Sequence, residues 1–395
     1  MGTQSGVGMS HNRNPKAAAQ EAVKIALKAA NVQQPDFVFM FASVGYNQQV
    51  LLNSVREATH HAPLIGCSGE GVIATGEADE SNFSVAVMVI QSDEMRFEPG
   101  LAIGLKDDPT QVGSTIGADI HRQMQPDAKA MFLLADGLTF NFDRVMSGLE
   151  AQLKLDRSLP ILGGVAADNS AFKQTYQYHN DQVISDGAVW ALLSGDIRLA
   201  WAVNHGCVAL GGKRQITRSA GNLIYEIDHK PVLEVLKEYL NEDEVENWQK
   251  AALNLCLGFK APGYMQDYDE FLVRFITSKN DQTGAVAIQT EVVEGCDIWM
   301  ARRDHEKIEA GINQMAETIQ NQLGQSSPKL VFQFDCCGRG KSVLREQEKL
   351  SLLKTLQQKV GAEAPWIGLY TLGEIGPVGD RNYFHNYTAV LTAVY

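Results

Sequence analysis

A pattern used three times constrains this chain more than any other feature. A short, nearly continuous apolar run, Asp36-Phe37-Val38-Phe39-Met40-Phe41-Ala42, recurs as Ala130-Met131-Phe132-Leu133-Leu134-Ala135-Asp136 and as Leu330-Val331-Phe332-Gln333-Phe334-Asp335-Cys336. Runs of this length and apolarity predict strands covered on both faces. A helical stretch follows each, and then a matching phrase: Pro63-Leu64-Ile65-Gly66, Pro160-Ile161-Leu162-Gly163 and Pro365-Trp366-Ile367-Gly368. Proline cannot lie in a central ladder, so it marks strand entry, and the glycine predicts an exit into a loop. Each loop leads to another apolar strand, over Phe83 to Ile90, Gly187 to Leu193 and Thr388 to Tyr395. The chain therefore reads as α/β: two related lobes with mixed β-sheets flanked by helices, built on a repeated strand-helix-strand-loop-strand unit.

Around the repeats, the polar, Gly-rich start predicts a flexible arm over residues 1–13. Asn14 then caps a first helix with Pro15 at its first position. Gly211-Gly212-Lys213-Arg214 predicts a boundary that divides the chain into domains at 14–212 and 213–395. In the second domain, Phe271 to Thr277 and Gly284 to Val292 read as a strand pair, and Asp304 to Leu323 as a helix. The start lacks a charged segment followed by an apolar one, so no secretory signal is expected. The six cysteines lack any CxxC pattern, which fits a reducing cytoplasm. The formal net charge of −13 repels phosphate backbones and anionic lipid, so neither nucleic acid nor membrane is an expected partner. A homo-oligomer is compatible with the chain.

Loops that follow equivalent strands emerge on one edge of their sheets, where open α/β sheets bind ligands. Here they are Gly66-Cys67-Ser68-Gly69-Glu70-Gly71, Gly163-Gly164-Val165-Ala166-Ala167-Asp168-Asn169 and Gly368-Leu369-Tyr370-Thr371-Leu372-Gly373-Glu374. Their glycines let backbone N–H groups approach a ligand, or serve only the turns themselves. None forms a phosphate-binding motif.

These phrases, with Thr217-Arg218-Ser219-Ala220-Gly221-Asn222-Leu223-Ile224-Tyr225-Glu226-Ile227-Asp228, Phe334-Asp335-Cys336-Cys337-Gly338-Arg339-Gly340, Gly373-Glu374-Ile375-Gly376-Pro377 and Phe384-His385-Asn386-Tyr387-Thr388, resemble FIST domains of bacterial signalling proteins. His229 departs from the family, which more often has Gly there. The resemblance implies a sensor of small ligands. It is nearest to a branch that binds haem, senses nitric oxide and regulates a histidine kinase or a cyclic-di-GMP enzyme. No output module is recognisable in the sequence, so a separate partner is expected to carry the signal.

A haem reader needs an axial ligand, usually histidine, and an apolar pocket. His205 leads as metal ligand, because Trp201-Ala202-Val203-Asn204-His205 reads as a strand that delivers it to a Gly turn. His385, His179 and His229 follow, each with a structural alternative: His229, for example, could cap the helix after it. A second reading is a metal-free receptor for an amino acid or similar metabolite. In it Arg339 grips a carboxylate and Glu70, beside Gly69, or Glu374 takes the amine. A third makes Cys336 a reactive thiol beside the Gly-Arg-Gly turn, or Cys67 or Cys336 the nucleophile of an enzyme. Against the second reading stands the alternative that Arg339 simply pairs with an acid such as Glu374.

Overall fold

The computed structural model describes residues 2–395 except 154–158, 249–250, 252–253 and 266–267. The first repeat comprises β1 (Thr3–Ser10), α1 (Pro15–Ala30), β2 (Phe37–Ala42), α2 (Gln48–Ala58), β3 (Leu64–Ser68), the hairpin β4 (Gly71–Ala74) and β5 (Glu77–Asp79), and β6 (Val85–Ser92). The second repeats this order with β7 (Met95–Ile103), α3 (Pro109–Gln123), β8 (Ala128–Ala135), α4 (Phe142–Leu153), β9 (Ile161–Val165), β10 (Gln177–His179), β11 (Gln182–Ile184) and β12 (Gly187–Gly195).

The third opens with β13 (Leu199–His205) and is interrupted by an insertion. That insertion holds β14 (Cys207–Ala220), β15 (Leu223–Ile227), β16 (Lys230–Pro231), α5 (Val232–Lys237), α6 (Glu242–Glu246), β17 (Cys256–Lys260), β18 (Phe271–Arg274), β19 (Ser278–Asn280), β20 (Ala285–Ala287) and β21 (Asp297–Arg303). The repeat then resumes with α7 (His305–Leu323), β22 (Leu330–Cys336), α8 (Glu346–Gly361), β23 (Trp366–Thr371), β24 (Gly373–Val378), β25 (Arg381–His385) and β26 (Thr388–Val394).

Each repeat builds a six-stranded mixed sheet, and the strand orders match: β1-β6-β2-β3-β10-β11, β7-β12-β8-β9-β24-β25 and β13-β26-β22-β23-β4-β5. In each, only the pair joined by the middle helix is parallel. The hairpin at the end of every sheet comes from a different repeat. The first repeat lends its hairpin to the third sheet, the second to the first and the third to the second, so the exchange closes a cycle. The three sheets turn their inner faces onto one core. At its centre the equivalent residues Phe39, Phe132 and Phe332 meet, with ring centroids 5.5, 4.7 and 4.3 Å apart. Offset and edge-on contacts of this kind add to the large apolar area that each ring removes from water.

The repeat glycines do something other than end strands. Gly66, Gly163 and Gly368 lie inside β3, β9 and β23, where an added Cβ would stand 1.7 Å from the Met40 carbonyl oxygen, 2.0 Å from that of Leu133 and 2.0 Å from that of Gln333. The parallel pair of each repeat closes to this distance only without a side chain.

The start is a strand, not an arm: β1 pairs with β6 from Thr3↔Ser92 to Ser10↔Val85. Its glycines are sites of contact rather than freedom, since a Cβ on Gly8 would stand 2.1 Å from the Ala22 carbonyl oxygen of α1. Gly211-Gly212, expected at a domain boundary, sits within β14, whose register against β21 shifts between Leu210 and Arg214. The expected pairing of Phe271 to Thr277 with Gly284 to Val292 is also corrected. β18 pairs with β17, and the hairpin is the shorter β19–β20. The helix expected from Asp304 is present, with Asp304 as its N-cap. No described helix is long and apolar enough to cross a membrane.

Candidate functional site

Five of the residues selected from sequence converge where β13, β22, β24, β25 and β26 end beneath the insertion. His205, the last residue of β13, pairs with Thr388 of β26. The Thr388 N–H donates to Glu374 Oε2 at 3.3 Å, and Glu374 is in register with His385. The Thr371 hydroxyl lies 2.6 Å from Glu374 Oε1 and 3.3 Å from the Asp335 carbonyl oxygen. Asp335 in turn accepts from Arg339 Nε at 2.9 Å, and Cys336 follows it in the chain. His205, His385, Arg339, Glu374 and Cys336 thus lie on one continuous network, all of them buried.

The charge states follow from that burial. Glu374 is fully buried, and burial, then the neighbouring Cys336 and Asp335, hold its carboxyl well above the usual range. The Thr371 hydroxyl donates to Glu374 Oε1, and this bond and the Thr388 N–H oppose the burial that raises the carboxyl. Burial also pushes Asp335 up, against the pull of Arg339. Burial lowers His205, although Asp269 opposes it, and takes His385 down to about 3. Both imidazoles are neutral at pH 7. The Cys207 N–H donates to His205 Nδ1 at 3.2 Å, so the ring proton sits on Nε2, 3.1 Å from Asp269 Oδ2. In His385, Nε2 faces the Gly376 carbonyl oxygen at 3.0 Å and carries the proton.

Several polar atoms of the cluster make no hydrogen bond, His205 Nε2 among them although Asp269 Oδ2 stands 3.1 Å away. Arg339 Nη1 and His385 Nδ1 are buried without a hydrogen-bond partner, one a donor and the other an acceptor. Arg339 does not pair with Glu374 as anticipated. Asp335, four residues before it and at the end of the same strand, takes that place.

The other selected residues lie apart. His179 sits on β10 opposite Ile65, its pKa lowered first by burial and then by Arg56. His229 is exposed in a left-handed turn at φ 61°, where its N–H bonds Thr217 Oγ1, and Pro231 is the N-cap of the helix that follows. Gly69 donates its N–H to the Ala42 carbonyl. Glu70 is buried, accepts from the Ser170 N–H, and is raised in pKa by burial. Cys67 is fully buried, and burial pushes its thiol up.

Sequence reasoning passed over Asp269, Lys307 and Tyr268. Asp269 takes Lys307 Nζ at 2.7 Å as well as His205, and these bonds outweigh burial and hold its carboxyl well below the usual range. Nothing local in the sequence marks it, since the insertion brings it to His205 from 64 positions away in the numbering. Tyr268 forms a wall between the cluster and open space. Its ring lies 5.9 Å from that of His205 and 6.1 Å from that of His385, and it also lines a cavity of about 590 Å³ with Trp201, Tyr264 and Gln314.

Haem would need an axial nitrogen within reach of an apolar pocket. His205 belongs to a ring 2% exposed with Asp269 Oδ2 3.1 Å from its Nε2, and the bare Nδ1 of His385 belongs to a ring 1% exposed and packed between Tyr268 and Tyr383. The residues do not fit the group. Among the described residues, no three His, Cys, Asp or Glu side chains are grouped to hold a metal ion.

Comparison with known proteins gives two family matches, the FIST N domain over residues 36–230 and the FIST C domain over residues 233–377. The two-lobe arrangement fits these domains. Uncharacterized proteins of Mycobacterium tuberculosis are 24% identical, with 97% of both chains covered. An uncharacterized protein of Methanocaldococcus jannaschii is 25% identical over 73% of this chain and 58% of its own. Among solved structures, a chorismatase (9% identity, TM-score 0.37, 100% and 99% covered) and a cyanuric acid hydrolase (10%, TM-score 0.33, 100% of both) are similar at a low level.

Proposed function

The chain is a FIST-domain protein, its FIST N domain followed by its FIST C domain, and from this we propose that it is a sensory receptor for a small carboxylate-bearing metabolite bound at the Arg339 cluster. FIST domains are associated with sensing in signal transduction, which favours a receptor over a catalyst. The observation that carries the ligand class is the buried guanidinium whose Nε is taken by Asp335 and whose Nη1 has no partner. A buried donor left unpaired costs about 1–3 kcal/mol, and a carboxylate that satisfies it recovers that cost. His385 Nδ1 offers an acceptor in the same cluster, suited to an ammonium or hydroxyl on the ligand.

Ligand acts by differential affinity for two arrangements. The insertion rests on the cluster through Asp269, which joins His205 to Lys307, so an anion at Arg339 competes with a contact that fixes the insertion in place. The signal then passes to a partner enzyme, a histidine kinase or a cyclic-di-GMP enzyme on the pattern that the resemblance implies. Haem remains the ligand suggested by resemblance alone, and no step is derived through it.

The test is a thermal-shift panel of amino acids and of mono- and dicarboxylates, run on the wild type and on Arg339→Lys, with absorption spectra of haem-supplemented samples beside it. Stabilisation by one carboxylate class that weakens at least about tenfold in the variant supports the reading, because lysine keeps the charge but loses the planar fork. Stabilisation independent of Arg339, or a sharp Soret band without carboxylate binding, overturns it.

A further inference from the structure

The β24–β25 hairpin carries Glu374 and His385 at its buried end and reaches the surface at its other end, where two cavities flank it. Its register runs from Glu374↔His385 to Val378↔Arg381, and Gly379, at φ 63°, lies in the turn with nothing within 4 Å of the position a Cβ would take. One cavity, of about 970 Å³, lies against α4, and the other, of about 590 Å³, lies against α7. Trp201, Pro377 and Gly379 line both, so the two form one groove with the hairpin turn as a ridge across it.

The walls of this groove are aromatic and acidic. Trp201 is common to both cavities, Tyr383 stands on the α4 side, and Tyr264, 52% exposed, stands on the α7 side. Exposed carboxylates lie beside them: Glu150 on α4, Asp380 on the turn and Glu317 on α7. Among the described residues none of these three takes part in an ion pair. A fourth acid, Asp143, is already taken up by the Glu291 N–H at 2.7 Å. Arg381 is the one cation among the described lining residues, and its guanidinium lies over the Tyr264 ring, 5.2 Å from the centroid. Trp201 is fixed in advance, because the Gln322 side chain accepts from its N–H at 3.0 Å and donates to its carbonyl at 2.8 Å.

From this arrangement we propose that the groove is the docking site for an arginine-bearing segment of a partner protein. Three carboxylates free of ion pairs against one cation make the local charge complementary to guanidinium groups. Aromatic faces attract the same groups when they lie within about 6 Å, and Arg381 on Tyr264 is an instance within the groove itself. Arginine suits these walls better than lysine, because its planar fork stacks and hydrogen-bonds at once. Trp and Tyr are the side chains that most often anchor an interface. The two cavities together exceed what one small ligand fills, and the carboxylates are spread over three elements, which fits a segment with more than one cation.

The position also links docking to the buried cluster, a link that rests on the receptor reading above. Ligand at Arg339 acts near the Glu374–His385 end of β24 and β25, and the partner grips Asp380 at the other end of the same hairpin. Tyr268, which walls the cluster, lines the α7 side of the groove. Docking itself needs only the groove.

The experiment measures fluorescence anisotropy of a labelled Arg-Ala repeat peptide, and of its Lys-Ala counterpart, with the full chain and no other ligand at about 0.15 M salt. One variant combines Glu150→Gln, Asp380→Asn and Glu317→Gln. The other removes the same charge from α6 by Glu242→Gln, Asp243→Asn and Glu246→Gln. All of these side chains are exposed, so both variants are expected to fold. Expected are tighter binding of the arginine peptide, a loss of at least about tenfold in the groove variant, and a loss of less than about threefold in the α6 variant. Equal losses in the two variants, or no difference between the peptides, overturn the proposal. A dimer in sedimentation that the groove variant dissolves, without peptide binding, assigns the groove to a second copy and overturns it as well. Carboxylate binding at Arg339 is read separately by thermal shift, so either reading can fail while the other stands.

Discussion

Arg339 reaches back four residues to hold Asp335 by Nε at 2.9 Å, so a buried anion is fixed by one edge of a guanidinium whose Nη1 is left bare. Breaking such a pair leaves an uncompensated buried charge and costs about 3–5 kcal/mol, whereas removing both charges costs much less. Urea unfolding of Arg339→Gln, Asp335→Asn and the double variant is expected to show large losses in the singles and a partial recovery in the double. Additive losses would mean that the two side chains do not act as a pair.

The buried histidines set the acid limit of stability. His385 is taken down to about 3 in the fold, and an unfolded histidine titrates near 6.5, so between those values the unfolded chain binds the extra proton. Its contribution is fully present above pH 6.5 and is lost as pH falls toward 3, at about 1.4 kcal/mol per pH unit. Glu374 works in the opposite sense: its raised carboxyl favours the fold below the ordinary glutamate range, and that contribution fades as pH rises through its folded pKa. Comparing the pH dependence of unfolding in the wild type and His385→Gln isolates the histidine, because the glutamine amide can still donate to the Gly376 carbonyl. A flatter acid limb in the variant is expected, and an unchanged slope would contradict the neutral assignment.

At the centre of the three sheets, Phe132→Ala should cost about 3–5 kcal/mol, as large-to-small changes in packed aromatic cores do. Phe39→Ala and Phe332→Ala should cost similar amounts. Because the three rings touch, combining two of them is expected to cost less than the sum, as equilibrium unfolding of the double variant would reveal.

Gly66→Ala places a methyl 1.7 Å from the Met40 carbonyl oxygen and should prevent soluble folding or lower the melting temperature sharply. Gly212→Ala meets nothing within 4 Å and is the matched control, with a change within about 0.5 kcal/mol. Equal tolerance at both positions would show that the strands of the first repeat can separate without loss.

The repeat was legible because it rests on local chemistry. Apolar runs, Pro entries and Gly positions are all set by neighbours in the chain, and they located β2, β8 and β22 closely. The hairpin exchange was not legible, because nothing in Gly71–Ala74 states that its partner is β23 near the other end. The β1 strand was misread because Gly6 and Gly8 carry opposite meanings in a free tail and against an alanine helix face. Of the site, Arg339, Glu374, His205, His385 and Cys336 could be chosen individually by residue type, but their meeting depends on strand ends from distant segments. Asp269 and Lys307 reach the cluster only through the insertion, so no spacing in the sequence could point to them.

The cyclic lending of hairpins also bears on how the chain comes into being. When β4 and β5 leave the ribosome, the strand they must join lies almost three hundred positions further on, and the second sheet likewise lacks its closing hairpin until Arg381–His385 has been made. One sheet, the second, and one hairpin, β4–β5, therefore wait for the end of synthesis, and the early sequence must remain tolerant of that exposure. Closure of the ring is a late and long-range event, and pairings of that sequence separation favour slow folding over maturation segment by segment.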